Sequence, residues 1–324
     1  MRAVICRALT GVAGLAVVSD WPEPRPAPGE VVVDVKASAL NFPDLLMIQG
    51  LYQERPEPPF VVGTELSGVV TAVGEGVARL KVGDAVVSAC GRTMAERVAV
   101  KASLVLPAPR GLPLESAAGI CVTYFTTMHA LKQRAELEAG ETLLVLGAAG
   151  GVGTTAVELG KQMGATVIAA ASSDAKLELA RSLGADHLVN YSTGDLRERI
   201  REITGGAGVD VVYDPVGGEL AEPALRSMAW NGRYLVIGFA GGEIPRIPLN
   251  LPLLKGCSIV GVFWGSFAHR EPDLQRQNVA ELWALFEAGK LVPVVGEVHA
   301  MDDVAAAFDA LAHRRARGKV IVRT

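Results

Sequence analysis

Residues Leu143 to Leu159 read LLVLGAAGGVGTTAVEL, and this stretch decides the fold of the chain. The apolar run Leu143–Leu146 is followed by a glycine-dense turn and then by a segment of helix-forming composition, which is the strand–turn–helix context of a dinucleotide site. Gly150, Gly151 and Gly153 let the backbone come close to a pyrophosphate, whose charge the free N–H groups at a helix start would bind. The stretch therefore predicts a dinucleotide-binding site.

The match to the dinucleotide pattern G-x-G-x-x-G is incomplete. When Gly150 and Gly153 are aligned with its second and third glycines, Ala148 takes the first position and Gly147 lies one place earlier. Because many turns are rich in glycine, the cluster alone would be weak evidence. The regular strand and helix on either side of it carry the prediction.

Length and composition indicate an ordinary two-domain α/β protein. The chain has 324 residues, half of them apolar and 20% charged, so each of two domains is large enough to bury a core. A net charge of −4 and an aromatic content of 5% argue against a nucleic-acid partner.

The cysteines and the N-terminus indicate a compartment. Cys6, Cys90, Cys121 and Cys257 lie far apart with no C-x-x-C pair, which predicts reduced thiols rather than disulfides or a zinc ribbon. The start of the chain lacks the apolar core of a signal peptide, and no run of about 18 apolar residues occurs. We expect a soluble cytoplasmic protein with no membrane partner.

The first 110 residues or so are rich in short β-branched runs separated by turns. Val31–Val35, Val69–Val73 and Ala85–Val87 have the spacing of a small barrel or a twisted antiparallel sheet. Between them, residues 41–49 predict a short helix that begins at Asn41 and tolerates Pro43 in its first turn.

From about Leu114 the pattern changes to alternating strands and helices. Glu115–Lys132 has helical spacing, and the later segments predict six strands separated by four helices and one longer non-helical crossover, hence a doubly wound parallel sheet. The predicted strands are 142–147, 166–171, 186–190, 209–213, 233–238 and 257–262; the helices are 151–163, 174–183, 195–203 and 219–229. The tail predicts helices at 275–288 and 302–315 and a strand at 319–323, and we expect it to rejoin the first domain.

The end of the second predicted strand favours NADPH over NADH. An NAD site has an acidic residue there, which would repel the 2′-phosphate of NADP. Here the strand ends in Ser172-Ser173, Lys176 follows one helical turn later and Tyr191 lies just past the end of the neighbouring strand, so a base, a phenol and hydroxyls converge on the corner. Each also has a plain alternative, since Lys176 could be a solvated helix lysine and the serines helix caps, and Asp174 is a discordant charge.

Together these motifs resemble one protein family. NFPDLLMIQGLYQ (41–53), GTELSGVVTAVG (63–74), GAAGGVG (147–153) and Lys176 with Tyr191 resemble the medium-chain dehydrogenase/reductase superfamily over essentially the whole chain. The similarity is greatest to its zinc-free quinone oxidoreductase (zeta-crystallin-like) branch. The resemblance implies a GroES-like β-barrel domain made from both chain ends (1–118 and 263–324) with a Rossmann NADPH-binding domain (119–262) between them.

The resemblance also indicates whether the chain has the ligands for a catalytic zinc ion. Zinc-dependent members hold a catalytic metal with a cysteine near the position of Asn41 and a histidine before the glutamate of G-H-E, where this chain has Thr64 and Glu65. Only Glu65 and nearby Asp44 remain as carboxylate ligands, too few for a tetrahedral zinc site. We therefore expect no metal, and hydride transfer to an activated acceptor, a quinone or an α,β-unsaturated carbonyl, rather than alcohol oxidation.

By the same resemblance, Asn41 and Tyr52 face the nicotinamide and hydrogen-bond the acceptor carbonyl as the catalytic residues. Asn41 is equally well explained as a helix cap, and Tyr52 as a packing residue under a proline cluster. The predicted NADPH-binding residues are Thr126, Gly150, Gly151, Val152, Ser172, Lys176, Tyr191, Gly238, Phe239, Phe263 and Lys319.

Three functions remain open from the sequence. The leading prediction is an NADPH-dependent quinone reductase. An enone or enoyl-CoA-type reductase would use the same residues, with acceptor loops at 51–60 and 265–273. The third possibility is a non-catalytic protein that binds the nucleotide, crystallin-like or regulatory, and reduces no acceptor. The strand 257–262 is apolar on both faces and would form the edge of the sheet, which predicts a homodimer.

Overall fold

The computed structural model describes all 324 residues and divides into two compact units. The first unit comprises residues 1–122 and 292–324, and the second comprises residues 123–291. The return to the first unit therefore comes at residue 292 rather than at the expected residue 263. No helix is long and apolar enough to span a lipid bilayer.

Sixteen strands occur along the chain. They are β1 (Ala3–Cys6), β2 (Leu15–Val18), β3 (Glu30–Leu40), β4 (Phe60–Val61), β5 (Glu65–Val73), β6 (Ala85–Ala89), β7 (Arg97–Lys101), β8 (Val105–Pro107), β9 (Thr142–Leu146), β10 (Thr166–Ala171), β11 (His187–Asn190), β12 (Val209–Asp214), β13 (Met228–Val236), β14 (Ser258–Gly261), β15 (Val295–Ala300) and β16 (Lys319–Arg323).

Eleven α-helices accompany them. They are α1 (Phe42–Ile48), α2 (Leu114–Ala117), α3 (Ile120–Met128), α4 (Gly151–Gln162), α5 (Asp174–Ser182), α6 (Leu196–Ile203), α7 (Ala221–Arg226), α8 (Asn250–Lys255), α9 (Trp264–Arg270), α10 (Pro272–Glu287) and α11 (Val304–Ala312). A π-helical segment, His129–Arg134, follows α3.

The first unit is the GroES-like β domain that the resemblance implied. Its larger sheet has the order β15-β16-β3-β5-β6-β8, with β7 also pairing with β3, and a smaller sheet has the order β2-β1-β4. Strand β16, from the C-terminal end of the chain, pairs antiparallel with β3, from Val320 opposite Leu40 to Arg323 opposite Ala37. Both ends of the chain therefore build this unit.

The second unit is a doubly wound Rossmann domain. Its sheet has the order β11-β10-β9-β12-β13-β14, and every neighbouring pair is parallel. The order reverses between β9 and β12, and ligands of such sheets bind at the carboxyl ends of the strands beside this switch point. The glycine-dense turn after β9 lies there.

Several predicted elements differ from the structure, and one of them is the strand expected at 233–238, which is β13 and begins at Met228. The crossover between β13 and β14 contains helix α8, although it was expected to be non-helical. The segment 265–273, expected as a loop, is occupied by α9 and the start of α10. The helix expected at 219–229 is shorter, because a 3-10 turn precedes α7 and Met228 already belongs to β13.

Helix α10 explains the later domain boundary. Lys132 forms an ion pair with Glu281 of α10, and the Gln133 and Asn278 side-chain amides exchange two hydrogen bonds of 2.9 and 3.0 Å. Asn278 is fully buried. These contacts, together with the packing of Tyr124 edge-on against Phe286, attach the helix to the second unit.

Candidate functional site

The turn after β9 is shaped by glycines. Gly147 has a φ of +60°, and a Cβ there would lie 2.8 Å from a methyl group of Val216. A Cβ at Gly153 would overlap the Gly147 carbonyl oxygen and lie 2.9 Å from Ala148. Helix α4 can therefore begin directly against the turn only because both positions lack a side chain.

The start of α4 suits a bound anion. Gly150 is the N-cap residue and offers no side chain to cap the helix, while its own N–H donates to the Gly147 carbonyl at 2.9 Å. The next N–H groups, at Gly151, Val152 and Gly153, have no acceptor within the helix. Gly150 is half-buried and a Cβ there would meet only the Gly147 oxygen, at 3.4 Å. The residues present therefore fit the pyrophosphate of a dinucleotide.

The corner predicted for the 2′-phosphate is assembled within the second unit. The Lys176 ammonium donates to the Ser172 hydroxyl at 3.3 Å, and the Tyr191 N–H donates to the carbonyl of Ala171, the last residue of β10, at 3.2 Å. The discordant Asp174 carboxylate accepts a hydrogen bond of 2.7 Å from the Asn190 amide. The structure thus brings Ser172, Lys176 and the backbone of Tyr191 together beside the end of β10.

Asp214, which the sequence analysis did not single out, holds the neighbouring turn. One carboxylate oxygen accepts the N–H groups of Val216 and Gly217 at 2.7 and 2.9 Å, and the other accepts the Tyr234 hydroxyl. The Val216 carbonyl in turn accepts the Gly241 N–H at 2.7 Å. Asp214 therefore fixes the turn that packs against Gly147 and joins it to the loop after β13.

The remaining predicted residues of the second unit lie on this loop, on α3 and after β14. Gly238 donates its N–H to the Asp214 carbonyl at 3.4 Å, and the half-buried Phe239 ring packs against Gly217. Thr126 is half-buried on α3, and Phe263, the residue before α9, is 61% exposed. Their contacts with a cofactor stay predictions.

In the first unit, Asn41 belongs to a buried polar cluster. Its side-chain oxygen accepts from the Lys319 ammonium at 2.6 Å. Its side-chain nitrogen donates to Glu65 at 2.9 Å and to the Thr64 hydroxyl at 3.0 Å. Both amide hydrogens therefore have protein acceptors, so the predicted donation from Asn41 to an acceptor carbonyl would require one of these bonds to break.

Asp44 extends this cluster. Its Oδ2 accepts the Asn41 backbone N–H at 2.7 Å and the Thr64 hydroxyl at 3.0 Å, whereas its buried Oδ1 has no hydrogen-bond partner. Burial raises the pKa of Asp44 to about 7, although those two hydrogen bonds and the Lys319 charge act in the opposite direction. The half-buried Tyr52 lies close enough for its pKa to be raised by burial and by the charges of Glu54 and Asp44, which keeps its phenol protonated.

This shift predicts a pH-dependent stability. The folded-state pKa of Asp44 lies above the ordinary value of 3.8, so its stabilising contribution is complete below about pH 4 and is lost as the pH rises through about 7. Relative to Asp44→Asn, the free energy of unfolding of the wild type should fall by up to ~1.4 kcal/mol per pH unit in this window. Urea unfolding at several pH values measures it, and a constant difference between the two chains would contradict it.

The donors in this cluster do not fit zinc. Asn41 and Thr64 stand where the zinc-dependent proteins have thiolate and imidazole, and the Lys319 ammonium lies 2.8 Å from Glu65 Oε1, where it would repel a second cation. Nowhere in the chain do three or more His, Cys, Asp or Glu side chains form a group able to hold a metal ion. The side chains present therefore do not fit a catalytic zinc ion.

Two family models match the chain. Residues 27–130 match the alcohol dehydrogenase GroES-like domain, and residues 151–288 match the zinc-binding dehydrogenase model. Among curated proteins, the chain is 39% identical over 324 residues to quinone oxidoreductase-like protein 2 of Bos taurus, covering 99% of this chain and 92% of that one. It is 35% identical over 306 residues to a quinone oxidoreductase of Pseudomonas aeruginosa, covering 94% of each.

Solved structures extend the comparison. The Escherichia coli quinone oxidoreductase complexed with NADPH has a TM-score of 0.91 at 28% identity and full coverage of both chains. An NAD-dependent alcohol dehydrogenase has a TM-score of 0.90 at 31% identity, with full coverage of both chains. The CurK enoyl reductase has a TM-score of 0.90 at 28% identity, covering 99% of this chain and 98% of that one. As its motifs predicted, the chain is an oxidoreductase that belongs to the quinone oxidoreductase-like branch of the medium-chain dehydrogenase/reductase superfamily.

Proposed function

We propose that the chain is an NADPH-dependent reductase that transfers hydride to a small quinone without a metal ion. The observation that carries this proposal is the corner at the end of β10, where Lys176 and Ser172 lie within hydrogen-bond distance and no carboxylate ends the strand. A 2′-phosphate would find a cation and a hydroxyl there instead of a repelling charge. The NADPH complex of the E. coli relative supports the same cofactor.

The chain's own residues position and polarise the reactants. When bound, NADPH would supply the hydride, and the uncapped N–H groups at the start of α4 would hold its pyrophosphate. Asp214 keeps the turn beside Gly147 and the loop after β13 in place. The Tyr52 phenol, which stays protonated because its pKa is raised, donates a hydrogen bond to the oxygen on which negative charge develops.

A second enzymatic function has its own support. The CurK enoyl reductase has the same fold, and an enone or enoyl thioester would use the same hydride and the same donor to the developing oxyanion. The acceptor segment 51–60 contains one base, Arg55, whose guanidinium bonds to the Tyr52 carbonyl at 3.4 Å. The other acceptor segment, 265–273, adds Arg270, whose guanidinium bonds to the Ser266 hydroxyl at 3.0 Å. Two partly engaged arginines are a poor match for the several phosphates of coenzyme A, so the quinone is preferred.

An acceptor panel tests the proposal. NADPH oxidation is followed with 1,4-benzoquinone, 9,10-phenanthrenequinone and crotonyl-CoA after the enzyme has been treated with a chelator. We expect turnover with both quinones, unchanged by the chelator, and little with crotonyl-CoA. Faster turnover of crotonyl-CoA would assign the enoyl reductase function. Tight NADPH binding without turnover of any acceptor would assign the non-catalytic, nucleotide-binding function.

We further infer a homodimer formed through β14. This strand pairs on one side only, with β13, and Ile259 on it is 42% exposed. The second unit also exposes Trp230 on β13, and it exposes Leu249, Leu253 and Leu254 at α8, the helix that precedes β14 in the chain. A free strand edge that carries exposed apolar side chains is normally covered, and pairing with the same strand of a second copy would cover it.

Substitution of Ile259 tests the dimer. Ile259→Lys should convert a dimer to a monomer in light scattering coupled to size-exclusion chromatography, because it would place a positive charge from each copy in the paired strands. Val298→Lys is the control, since Val298 has a similar exposure, 38%, on the edge strand β15 of the other sheet. A monomeric wild type, or an Ile259→Lys protein that stays dimeric, would contradict the proposed interface.

The cytoplasm is the location we propose. All four cysteines are free thiols in the structure, and the two buried ones, Cys6 and Cys121, have pKa values raised by burial. Unpaired thiols accord with a reducing compartment.

A further inference from the structure

The ammonium group of Lys319 is fully satisfied inside the protein. Its three N–H bonds point to three oxygens, the Leu40 carbonyl at 2.8 Å, the Asn41 side chain at 2.6 Å and Glu65 Oε1 at 2.8 Å. The side chain is only 6% exposed. An ammonium has three donors, so none is left for a cofactor phosphate or an acceptor.

Glu65 is matched to this cation. It is completely buried, its Oε1 accepts from both Lys319 and Asn41, and its Oε2 accepts the Val122 N–H at 2.9 Å. A buried carboxylate with three donors is stable only while its counter-charge is present, because an unpaired buried charge is strongly destabilising. Lys319 supplies that counter-charge.

The alkyl part of the Lys319 side chain packs against Gly119. A Cβ at Gly119 would lie 2.9 Å from Lys319 Cγ and 3.0 Å from its Cε. The alkyl stem therefore runs across a residue that has no side chain, and this allows the ammonium to reach the interior.

Lys319 sets the direction of the hydrogen bonds in the whole polar cluster. An ammonium can only donate, so the Asn41 oxygen must face it and the Asn41 nitrogen must face Glu65 and Thr64. The Thr64 oxygen accepts from Asn41, and its own hydrogen is directed to Asp44 Oδ2. The Lys319 ammonium thus fixes the hydrogen-bond directions of four further side chains, those of Asn41, Glu65, Thr64 and Asp44. Asn41 and Thr64 are the two whose positions carry metal ligands in the zinc-dependent proteins.

We propose that Lys319 is the resident cation of this cluster, a positioning residue that takes over the charge role of a metal ion and does not bind the cofactor. Removing its side chain should leave a pocket that selects a small primary ammonium ion. The proposal does not depend on which acceptor the enzyme reduces, because stability alone can test it.

Lys319→Ala with propylammonium is the direct experiment. Propylammonium has the three carbons and the nitrogen that the substitution removes. We expect Lys319→Ala to melt well below the wild type, and propylammonium chloride to raise its melting temperature saturably by about 2 °C or more. Tetramethylammonium at the same ionic strength should have no such effect, since it cannot donate hydrogen bonds. Lys36→Ala, which removes an exposed lysine of the same unit, is the matched control and should not respond to the amine.

A charge-balanced pair covers the case in which Lys319→Ala does not fold. Lys319→Met leaves Glu65 unpaired, so adding Glu65→Gln should raise the melting temperature of the double variant above that of Lys319→Met alone. The proposal would be overturned by a Lys319→Met protein as stable as the wild type or by a double variant no more stable than Lys319→Met. It would also be overturned if tetramethylammonium raised the melting temperature of Lys319→Ala as propylammonium does. A Lys319→Met protein that melts like the wild type but binds NADPH weakly would overturn it as well, because that result would make Lys319 a cofactor ligand.

Discussion

Gly150→Ala is expected to weaken NADPH binding at least ~10-fold, about 1.4 kcal/mol, while leaving the melting temperature close to that of the wild type. Gly150 aligns with the glycine that lets the backbone approach the pyrophosphate. A methyl group there meets only the Gly147 oxygen, at 3.4 Å, an ordinary contact. Its backbone, with φ near −79°, suits alanine equally well. The added methyl group should therefore act on the ligand rather than on the fold.

Gly153→Ala provides the contrast. A methyl group at this position would overlap the Gly147 carbonyl oxygen and press on Ala148, so the helix must move away from the turn. We expect a loss of ~1–3 kcal/mol in stability, measured by urea unfolding, together with weaker NADPH binding measured by fluorescence titration. If Gly150→Ala bound NADPH as tightly as the wild type, the glycine-dense turn would be a packing device and not a cofactor site.

Lys176→Glu is expected to lower kcat/KM for NADPH by about 100-fold, or ~2.7 kcal/mol, and that for NADH by less than about 3-fold. The substitution replaces the cation beside Ser172 with a carboxylate, which recreates the repulsion that distinguishes NAD sites from NADP sites. NADH lacks the 2′-phosphate and should be nearly indifferent to the change.

The control for this experiment lies on the same helix. Arg181→Glu reverses a charge at the far end of α5, where the guanidinium is 63% exposed and pairs with Glu178 at 3.5 Å. Arg181→Glu should change kcat/KM for NADPH and for NADH only slightly and by the same factor. Equal losses for NADPH and NADH in Lys176→Glu would remove the basis for assigning NADPH.

The nucleotide-binding domain was predictable because its signals are local. The apolar run at Thr166–Ala171 and the closing strand at Lys319–Arg323 have the predicted bounds. The sequence pattern does not predict helix α8, because the segment Asn250–Lys255 contains a proline. Pro252 lies in the first turn, where its missing N–H is not needed, and Gly256 ends the helix with a φ of +60°.

The polar cluster of the first unit was not predictable in the same way. Glu65 and Lys319 are 254 positions apart, and nothing in the short stretch around either residue indicates that both charges are buried. The resemblance placed Lys319 near the cofactor and Asn41 on the acceptor, whereas the structure turns the polar atoms of both side chains toward protein partners. Only the fold, which brings β16 against β3, reveals this pairing.

Asp214 shows a similar limit. A single aspartate at the end of a strand has many explanations, and its three hydrogen bonds to Val216, Gly217 and Tyr234 depend on how the chain turns after β12. The serines, the lysine and the tyrosine near the end of β10 were recognisable because each follows a strand end at a position that the nucleotide-binding fold brings to one corner.

The preference for NADPH is tested most directly by the ratio of kcat/KM for NADPH to that for NADH, measured with 1,4-benzoquinone on chelator-treated wild-type enzyme. We expect robust turnover with NADPH and a ratio well above ~10, corresponding to more than about 1.4 kcal/mol of preference for the phosphorylated ribose. A ratio near one or below it, or activity that appears only when zinc is restored, would contradict this expectation.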